Sequence, residues 1–343
     1  TCRPMRHYMT SKNDEILKLL TSFMKVKPSS HFDQEEGVAL VSDGVHLIFV
    51  CVEGNTYYSD AVFHFHIFTP RGTELGEARS LKLEGFSISP TRERIFVWGD
   101  SVVICANDAN DKPVMLDIGI TTAKLHGKHS MKIKEWEIVK FSGKFLFQAV
   151  ERGAKVISVW KHEKNGLVLE NKLKLNFNDW TNFAVSEKFI MFIGDDYIPT
   201  RFFKFDDHGE LILHSEMKGK FNQQSYGVFY PDEIAILYGA HKKVYLIDTS
   251  KENVSLIGQV MSVANTYENA VRFNNLVLLC DANQNDAPTL TVESRMDVIQ
   301  IGLKEPERIA IKSPIYVLDA VRLPGAIHFL TPKGLVSFAI GGE

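Results

Sequence analysis

From Gly37 onward the chain is filled with short runs in which apolar and polar residues alternate, each broken by Gly, Asp, Asn or Pro. A period of two predicts strands joined by tight turns, because successive side chains of a strand point to opposite faces. The clearest case is 226–260, YGVFYPDEIAILYGAHKKVYLIDTSKENVSLIGQV. It reads as four strands, 227–230, 234–238, 243–248 and 254–260, in one up-and-down antiparallel sheet.

Variants of this unit recur. A first unit takes 38–42, 46–52, 61–69 and 77–83, with Asp43-Gly44 as a hairpin signal. A second takes 86–89, 94–98, 101–106 and 114–118, leaving GITTAKLHGKHSMKIK (119–134) as a long connection. The third takes 137–141, 145–150, 155–160 and 167–175, and the fourth 182–185, 189–193, 201–205 and 210–218. After the fifth, at 226–260, comes a sixth at 270–273, 276–280, 296–301 and 308–311, interrupted by DANQNDAP at 281–288. A seventh has three strands, 316–320, 326–330 and 335–340. Phe68, Ala106, Trp160, Phe205, Ile247, Ile301 and Phe338 mark one position per unit, roughly 37–54 residues apart, which brackets the period of four-stranded propeller blades.

Six complete units and a three-stranded seventh call for a closing strand from elsewhere. The segment EILKLLTSFMKVK (15–27) is similar to the fourth-strand segment ELILHSEMKGK at 210–220. Two readings of it stand side by side. In one, 23–27 is the closing strand and a short helix precedes it. In the other, Asn13 caps a full helix carrying Ile16, Leu19, Leu20 and Phe23, stopped by Pro28. The expectation is an all-β, seven-bladed β-propeller of four-stranded antiparallel blades, with residues 1–22 as tail and short helix and 23–343 as one domain.

The third and fourth strands of these units, VISVWKHEKNGLVLENKLKL (156–175) and VYLIDTSKENVSLIGQV (244–260), resemble the WD-repeat β-propellers in a degenerate form. The resemblance covers the chain from Gly37. It lacks the Gly-His dipeptide of that family, and no Trp-Asp pair ends a third strand; the one Asp-Trp, Asp179-Trp180, lies elsewhere. The resemblance implies a rigid ring that displays loops to protein partners.

Composition narrows the partner classes. The chain is 45% hydrophobic and 24% charged, with a formal net charge of −3, an ordinary globular balance. That charge argues against a dedicated nucleic-acid surface. Cys51, Cys105 and Cys280 sit inside apolar runs and read as buried reduced thiols, and no CxxC spacing suggests thiolate zinc. No apolar run reaches 18 residues and no signal-peptide pattern opens the chain, which favours an intracellular protein, cytoplasmic or nuclear.

Neither a GxxxxGK[ST] loop, a GxSxG elbow nor an HExxH helix is present. His64 and His66 share one strand face, and with His46 form the one arrangement suited to a transition metal. The competing reading turns Phe63, Phe65 and Ile67 towards one neighbouring blade and the histidines towards the other. Lys124, Lys128, His129 and Lys132, with His126 and Lys134, form a possible anion patch in the 119–134 connection. Asp195 and Asp196 with Tyr197, and Asp281 with Asn283, Asn285 and Asp286, offer oxygen ligands of the kind Ca²⁺ uses, but without the spacing of a calcium loop. Both fall in second-to-third-strand loops, where Asp and Asn serve as turn formers.

Trp136, Trp180, Tyr226 and Tyr267 each precede an apolar first-strand position. In a propeller these connections and the second-to-third-strand loops, which hold Asp196, Tyr197, Lys242 and Lys243, emerge at one end of the ring. All eight are candidate partner contacts, since Trp and Tyr are enriched at interaction hot spots. For each aromatic the alternative is packing between blades. The expected function is a non-catalytic protein–protein interaction scaffold, a subunit of a larger intracellular complex, without cofactor or metal. The alternative is a lactonase- or hydrolase-like propeller enzyme with its site at the central channel.

Overall fold

The computed structural model describes residues 36–53, 61–87, 94–131, 138–163, 166–194, 198–205, 210–217, 224–230, 234–239, 243–250, 254–261, 269–273, 276–280, 294–300, 307–313, 319–331 and 334–339. They form seven antiparallel sheets in chain order. Blade one is β1 (Glu36–Ser42), β2 (Leu47–Glu53), β3 (Val62–Phe68) and β4 (Arg79–Glu84). Blade two holds β5 (Phe86–Ser87), β6 (Ile95–Trp98), β7 (Ser101–Asp108), β8 (Pro113–Gly119) and β9 (Lys124–Ser130). Blade three is β10 (Ile138–Phe141), β11 (Phe145–Ala149), β12 (Val156–Glu163) and β13 (Gly166–Lys174). Blade four is β14 (Asn182–Val185), β15 (Phe189–Ile193), β16 (Thr200–Phe205) and β17 (Leu211–Met217). Blade five is β18 (Gln224–Tyr230), β19 (Ile234–Gly239), β20 (Lys243–Asp248) and β21 (Ser255–Met261). Blade six is β22 (Asn269–Phe273), β23 (Leu276–Cys280), β24 (Ser294–Gln300) and β25 (Glu307–Ser313). The last sheet is β26 (Asp319–Leu323), β27 (Ala326–Thr331) and β28 (Gly334–Ala339).

The architecture is an all-β propeller of four-stranded antiparallel blades. The expectation of seven complete blades is corrected: the described residues complete six, and the last sheet has three strands. No α-helix occurs among the described residues, and the segments weighed as closing strand or helix, 15–27, lie outside them. First strands stand beside first strands, β10 by β14, β14 by β18 and β22 by β26. The circle is joined where β26 lies beside β1. There the Leu40 amide donates to the buried Asp319 carboxylate at 3.3 Å, 279 residues away in sequence.

Blade two differs from its sequence reading. Residues 86–87 and 95–98 are not successive strands, because both pair with β7 and together make one interrupted inner strand. The strand order therefore shifts by one, and the supposed connection after 118 contains the true outer strand, β9. That strand, KLHGKHS, carries a single large apolar residue, Leu125, and is almost wholly solvent-facing, so it lacks the alternation that marks a half-buried strand.

The core lies between blades rather than within them. Phe63, Phe65 and Ile67 of blade one pack with Ile104, Leu116 and Ile118 of blade two. The other face of blade two, with Trp98, Val103 and Met115, meets Val139, Leu146 and Trp160. Phe147 and Ile157 of blade three meet Phe183 and Phe192 of blade four. Phe189 and Met191 of blade four meet Leu237 and Tyr245 of blade five. Phe49, Cys51 and Phe68 of blade one return to Val321, Leu330 and Leu335 of the last sheet. Blades one to four so placed bury both faces.

The outer strands repeat one irregularity. In blades two to five the pairing of the last two strands slips at a β-bulge, at Asp117/Ile118, Val159/Trp160, Phe202/Phe203 and Leu246/Ile247. Opposite the residue after each bulge stands a leucine, Leu125, Leu169, Leu213 or Leu256, and all four are exposed. Their spacing of 44, 44 and 43 residues gives the unit length more sharply than strand counting does.

His328 is the least expected core residue. It lies fully buried on β27, its Nδ1 2.8 Å from Ser337 Oγ, while its Nε2 has no partner. Burial lowers its pKa from 6.5 to about 4. The folded chain therefore refuses a proton that the unfolded chain accepts between pH 6.5 and 4. Stability is full above that window and falls as pH drops through it, by up to about 3 kcal/mol from this group. Urea-unfolding midpoints measured from pH 7.5 to 4 should fall more steeply in the wild type than in His328→Leu.

Candidate functional site

Two places in the ring gather polar chemistry among the described residues. The first is the end at which chain crosses from blade three to blade four. Gly153, in the turn between β11 and β12, has φ +70°, and a Cβ there would stand 2.5 Å from the Asn178 carbonyl, so only glycine lets turn and crossover touch. Trp180 then donates its indole N–H to the Ala154 carbonyl at 3.2 Å. Its ring packs on Phe183 and Phe192 and is 3% exposed. Trp180 is therefore placed between blades three and four, with little of its ring at the surface.

The same crossover is clamped from outside. Arg201 on β16 donates Nη1 and Nη2 to the Asp179 carboxylate and Nε to Glu216 Oε1 at 2.8 Å. Its guanidinium lies 4.5 Å from the centre of the Phe177 ring. The Arg201 hydrogen bonds hold Asp179 below the usual carboxylate range, and Asp179 in turn raises the guanidinium.

The second place is the outer part of blades two and three. Asp117 on β8 accepts a hydrogen bond from His162 Nε2 on β12 at 3.1 Å, and Trp98 lies against the same imidazole. Burial pushes the Asp117 carboxyl up, but hydrogen bonds from His162 and Ser101, with the nearby His162 and His126, outweigh it and leave the group lowered. A His–Asp link is thus present, but between blades. Sequence reasoning missed it because 45 residues separate the partners and neither sits in a recognisable motif. On the adjoining β9, the His126 ring covers Gly119 and shares a hydrogen bond with Thr122 Oγ1 at 2.9 Å. The His129 ring covers Gly127. Lys124 and Lys128 are exposed, and Lys128 stands 5.0 Å from the Phe86 ring centre and 3.8 Å from Asp108.

The remaining predicted residues divide. Trp136, Tyr267, Asp196, Tyr197, Lys242 and Lys132 lie outside the described residues, as does 281–288. Tyr226 is not in the connection before the fifth blade's first strand, because β18 begins at Gln224 and pairs Tyr226 with Tyr238. Lys243 opens β20. His64 and His66 are stacked at 6.3 Å on the face of β3 turned away from Phe63 and Phe65, with Phe49 and Phe68 beside His66. His64 Nε2 is 3.3 Å from Glu53 and His66 Nδ1 2.8 Å from Ser80 Oγ. His46 is held in the first turn by Asp43, Nδ1 to Oδ2 at 2.8 Å. The three histidines do not converge, and no group of three His, Cys, Asp or Glu suited to a metal occurs among the described residues.

The fold and these surfaces define a β-propeller whose exposed chemistry lies on loops and outer strands. No protein-family model matches the chain, and no curated protein matches it. Solved structures match in fold. A chain of the mitotic checkpoint complex has a TM-score of 0.56 at 8% identity, over 92% of this chain and 94% of that one. Chaetomium thermophilum Sqt1, solved bound to the N-terminus of ribosomal protein L10, has 0.57 at 10%, over 92% and 89%. A candidate 6-phosphogluconolactonase of Bacteroides fragilis NCTC 9343 has 0.55 at 15%, over 80% and 83%. The first two are WD40 β-propellers. Among the described residues no helix is long and apolar enough to cross a membrane.

The clamp on the crossover gives a stability test. Arg201→Ala strips two largely solvated carboxylates of their partner and uncovers Phe177, and should cost about 1–2 kcal/mol in chemical denaturation. Arg201→Lys should recover less than half of that, because an ammonium cannot reproduce the paired fork.

Proposed function

We propose that this chain is a non-catalytic protein–protein interaction scaffold, a subunit of a larger intracellular assembly, cytoplasmic or nuclear, that takes partners on loops at one end of its ring. The observation that carries this reading is the bracing at that end, where Gly153, Asn178, Ala154 and Trp180 lash a second-to-third-strand turn to a crossover. Loops held to one another in this way present a fixed surface, which lowers the ordering cost of binding. The two WD40 propellers of similar fold come from structures with protein partners, one of them a chain terminus. Tyr226, Tyr267, Trp136, Asp196, Tyr197, Lys242 and Lys243 are the proposed contacts. Lys124, Lys128, His129 and Lys132 are proposed as a separate anionic-partner patch.

In the same reading the ring has seven blades and one domain, 23–343. The last sheet takes its fourth strand from 23–27, and residues 1–22 stand outside the domain. The ring already joins through its inner strands, β26 lying beside both β22 and β1, and the last sheet has three strands where six others have a fourth on the outside. Deleting 1–22 should leave the thermal midpoint unchanged, whereas deleting 1–30 should lower it by about 5 °C or more. Equal midpoints for the two truncations would sink the closure.

For the function itself, the tagged chain and a Tyr226→Ala, Lys242→Glu, Lys243→Glu variant would be used for affinity capture from cells expressing the native protein. The expected result is a stoichiometric protein partner held by the wild type and lost by a variant that melts at the same temperature. The lactonase-like alternative draws its support from the Bacteroides fold match. Turnover of 6-phosphogluconolactone by the purified chain, with no stoichiometric partner captured, would favour that alternative.

A further inference from the structure

The outer strand of blade two carries chemistry that no other outer strand shares. Among β4, β9, β13, β17, β21 and β25, it alone combines cations with the absence of any carboxylate. β4 answers its lysine internally, Lys82 to Glu84 at 2.8 Å, and β13 mixes Glu170 with Lys172 and Lys174. β9 offers Lys124, His126, Lys128 and His129, and among the described strands it pairs with β8 alone.

The cations are distributed over both sides of the strand. Lys128 stands opposite Leu116, on the side of the sheet that packs towards blade one. Lys124 and His129 stand opposite Gly119 and Met115, on the side towards blade three. The nearest carboxylates are already engaged. Asp117 is held by His162, and Asp108, which accepts the backbone amides of Asn110 and Lys112, forms a long ion pair with Lys128 at 3.8 Å, whose 44% exposed side chain keeps room for a second carboxylate. Beyond the bulge, 127–130 run in regular register, and the His129 ring lies over Gly127 on one face of the strand. Leu125, 38% exposed, adds one apolar contact.

We propose that β9 is a docking edge for an extended acidic segment of a partner protein, which adds to blade two as a further strand. The addition uses main-chain hydrogen bonds for affinity and alternate side chains for selection. Because successive side chains of a strand face opposite ways, a run of consecutive carboxylates meets Lys124 and His129 on one side and Lys128 on the other. Cations on an edge also repel a second copy of the same edge, so the charge that prevents self-pairing selects an acidic strand. A nucleic acid fits less well, since β9 presents no Phe, Tyr or Trp for base stacking and the chain carries a net charge of −3. This edge is distinct from the loop end, and rests on the scaffold reading only in that its occupant is a protein.

The test uses the full chain and a fluorescent synthetic peptide of six consecutive glutamates with one central leucine, read by anisotropy. The wild type should bind it, and Lys124→Glu with Lys128→Glu should weaken binding at least about tenfold. A peptide N-methylated at alternate amides should also bind about tenfold less tightly, because it keeps its charge but cannot pair as a strand. That second probe stands on the wild-type chain, so it decides the matter even if the double variant misfolds. The Tyr226→Ala, Lys242→Glu, Lys243→Glu variant should bind the peptide as the wild type does, which separates this edge from the loop end. Absence of wild-type binding, equal binding of the N-methylated peptide, or tighter binding of a single-stranded oligonucleotide of equal charge overturns the proposal.

Discussion

The constraint behind the whole structure is that its sheets are apolar on both faces. A sheet with one wet face can stop at a single partner; a sheet dry on both must be flanked twice. β8 shows the consequence, with Val114, Leu116 and Ile118 turned to blade one and Met115 to blade three, all fully buried. A row of such sheets has no natural end until the last meets the first. Phe49, Cys51 and Phe68 packed on Val321, Leu330 and Leu335 are that meeting, and the Leu40 amide on Asp319 fixes its height. Charge and hydrogen bonding choose the alignment there, while the burial of apolar surface supplies the drive.

Polar groups inside this arrangement are therefore few and committed. Arg201 is occupied by Asp179 and Glu216, His162 by Asp117, and Trp180 by the Ala154 carbonyl. Apart from Arg201–Glu216, which lies within blade four, these links tie neighbouring blades, or a blade to its crossover, across sequence distances of 22 to 45 residues. His328 is one departure from the pattern, with one ring nitrogen satisfied and the other buried without a partner, and the Trp160 indole N–H is another. An imidazole so buried costs stability whenever it must accept charge, and it places an acid-sensitive residue in the sheet that forms the ring's junction.

How far the sequence could be read follows from the same geometry. Inner and middle strands were legible because burial on both faces leaves unbroken apolar runs such as FIMFI at Phe189–Ile193, bounded by turn residues. Asp43-Gly44 was legible because φ +93° at Gly44 nearly demands glycine. β9 was not, since an outer strand has little to bury and KLHGKHS carries no period. The interrupted inner strand of blade two escaped for another reason: two short apolar runs pairing with one partner look, in sequence, like two strands. At the candidate sites, Trp180 announced itself by type but not by destination. The Asp117–His162 link left no local trace, being a product of blade packing alone.

The bulges clarify where such a ring keeps room to change. At four successive outer strands the same register slip recurs with the same leucine, in K-L-H-G-K, V-L-E-N-K, I-L-H-S-E and S-L-I-G-Q. The leucine and the slip are constant because a bulge twists the edge strand, and a twisted edge resists pairing with its like. The residues around them vary freely in charge, from the cations of β9 to the mixed signs of β13 and the uncharged β21. Interior positions have no such freedom, since each side chain there answers to two blades at once. Specificity in this fold must then reside in the loops and on the rim, and the rim's chemistry differs from blade to blade even though its backbone does not.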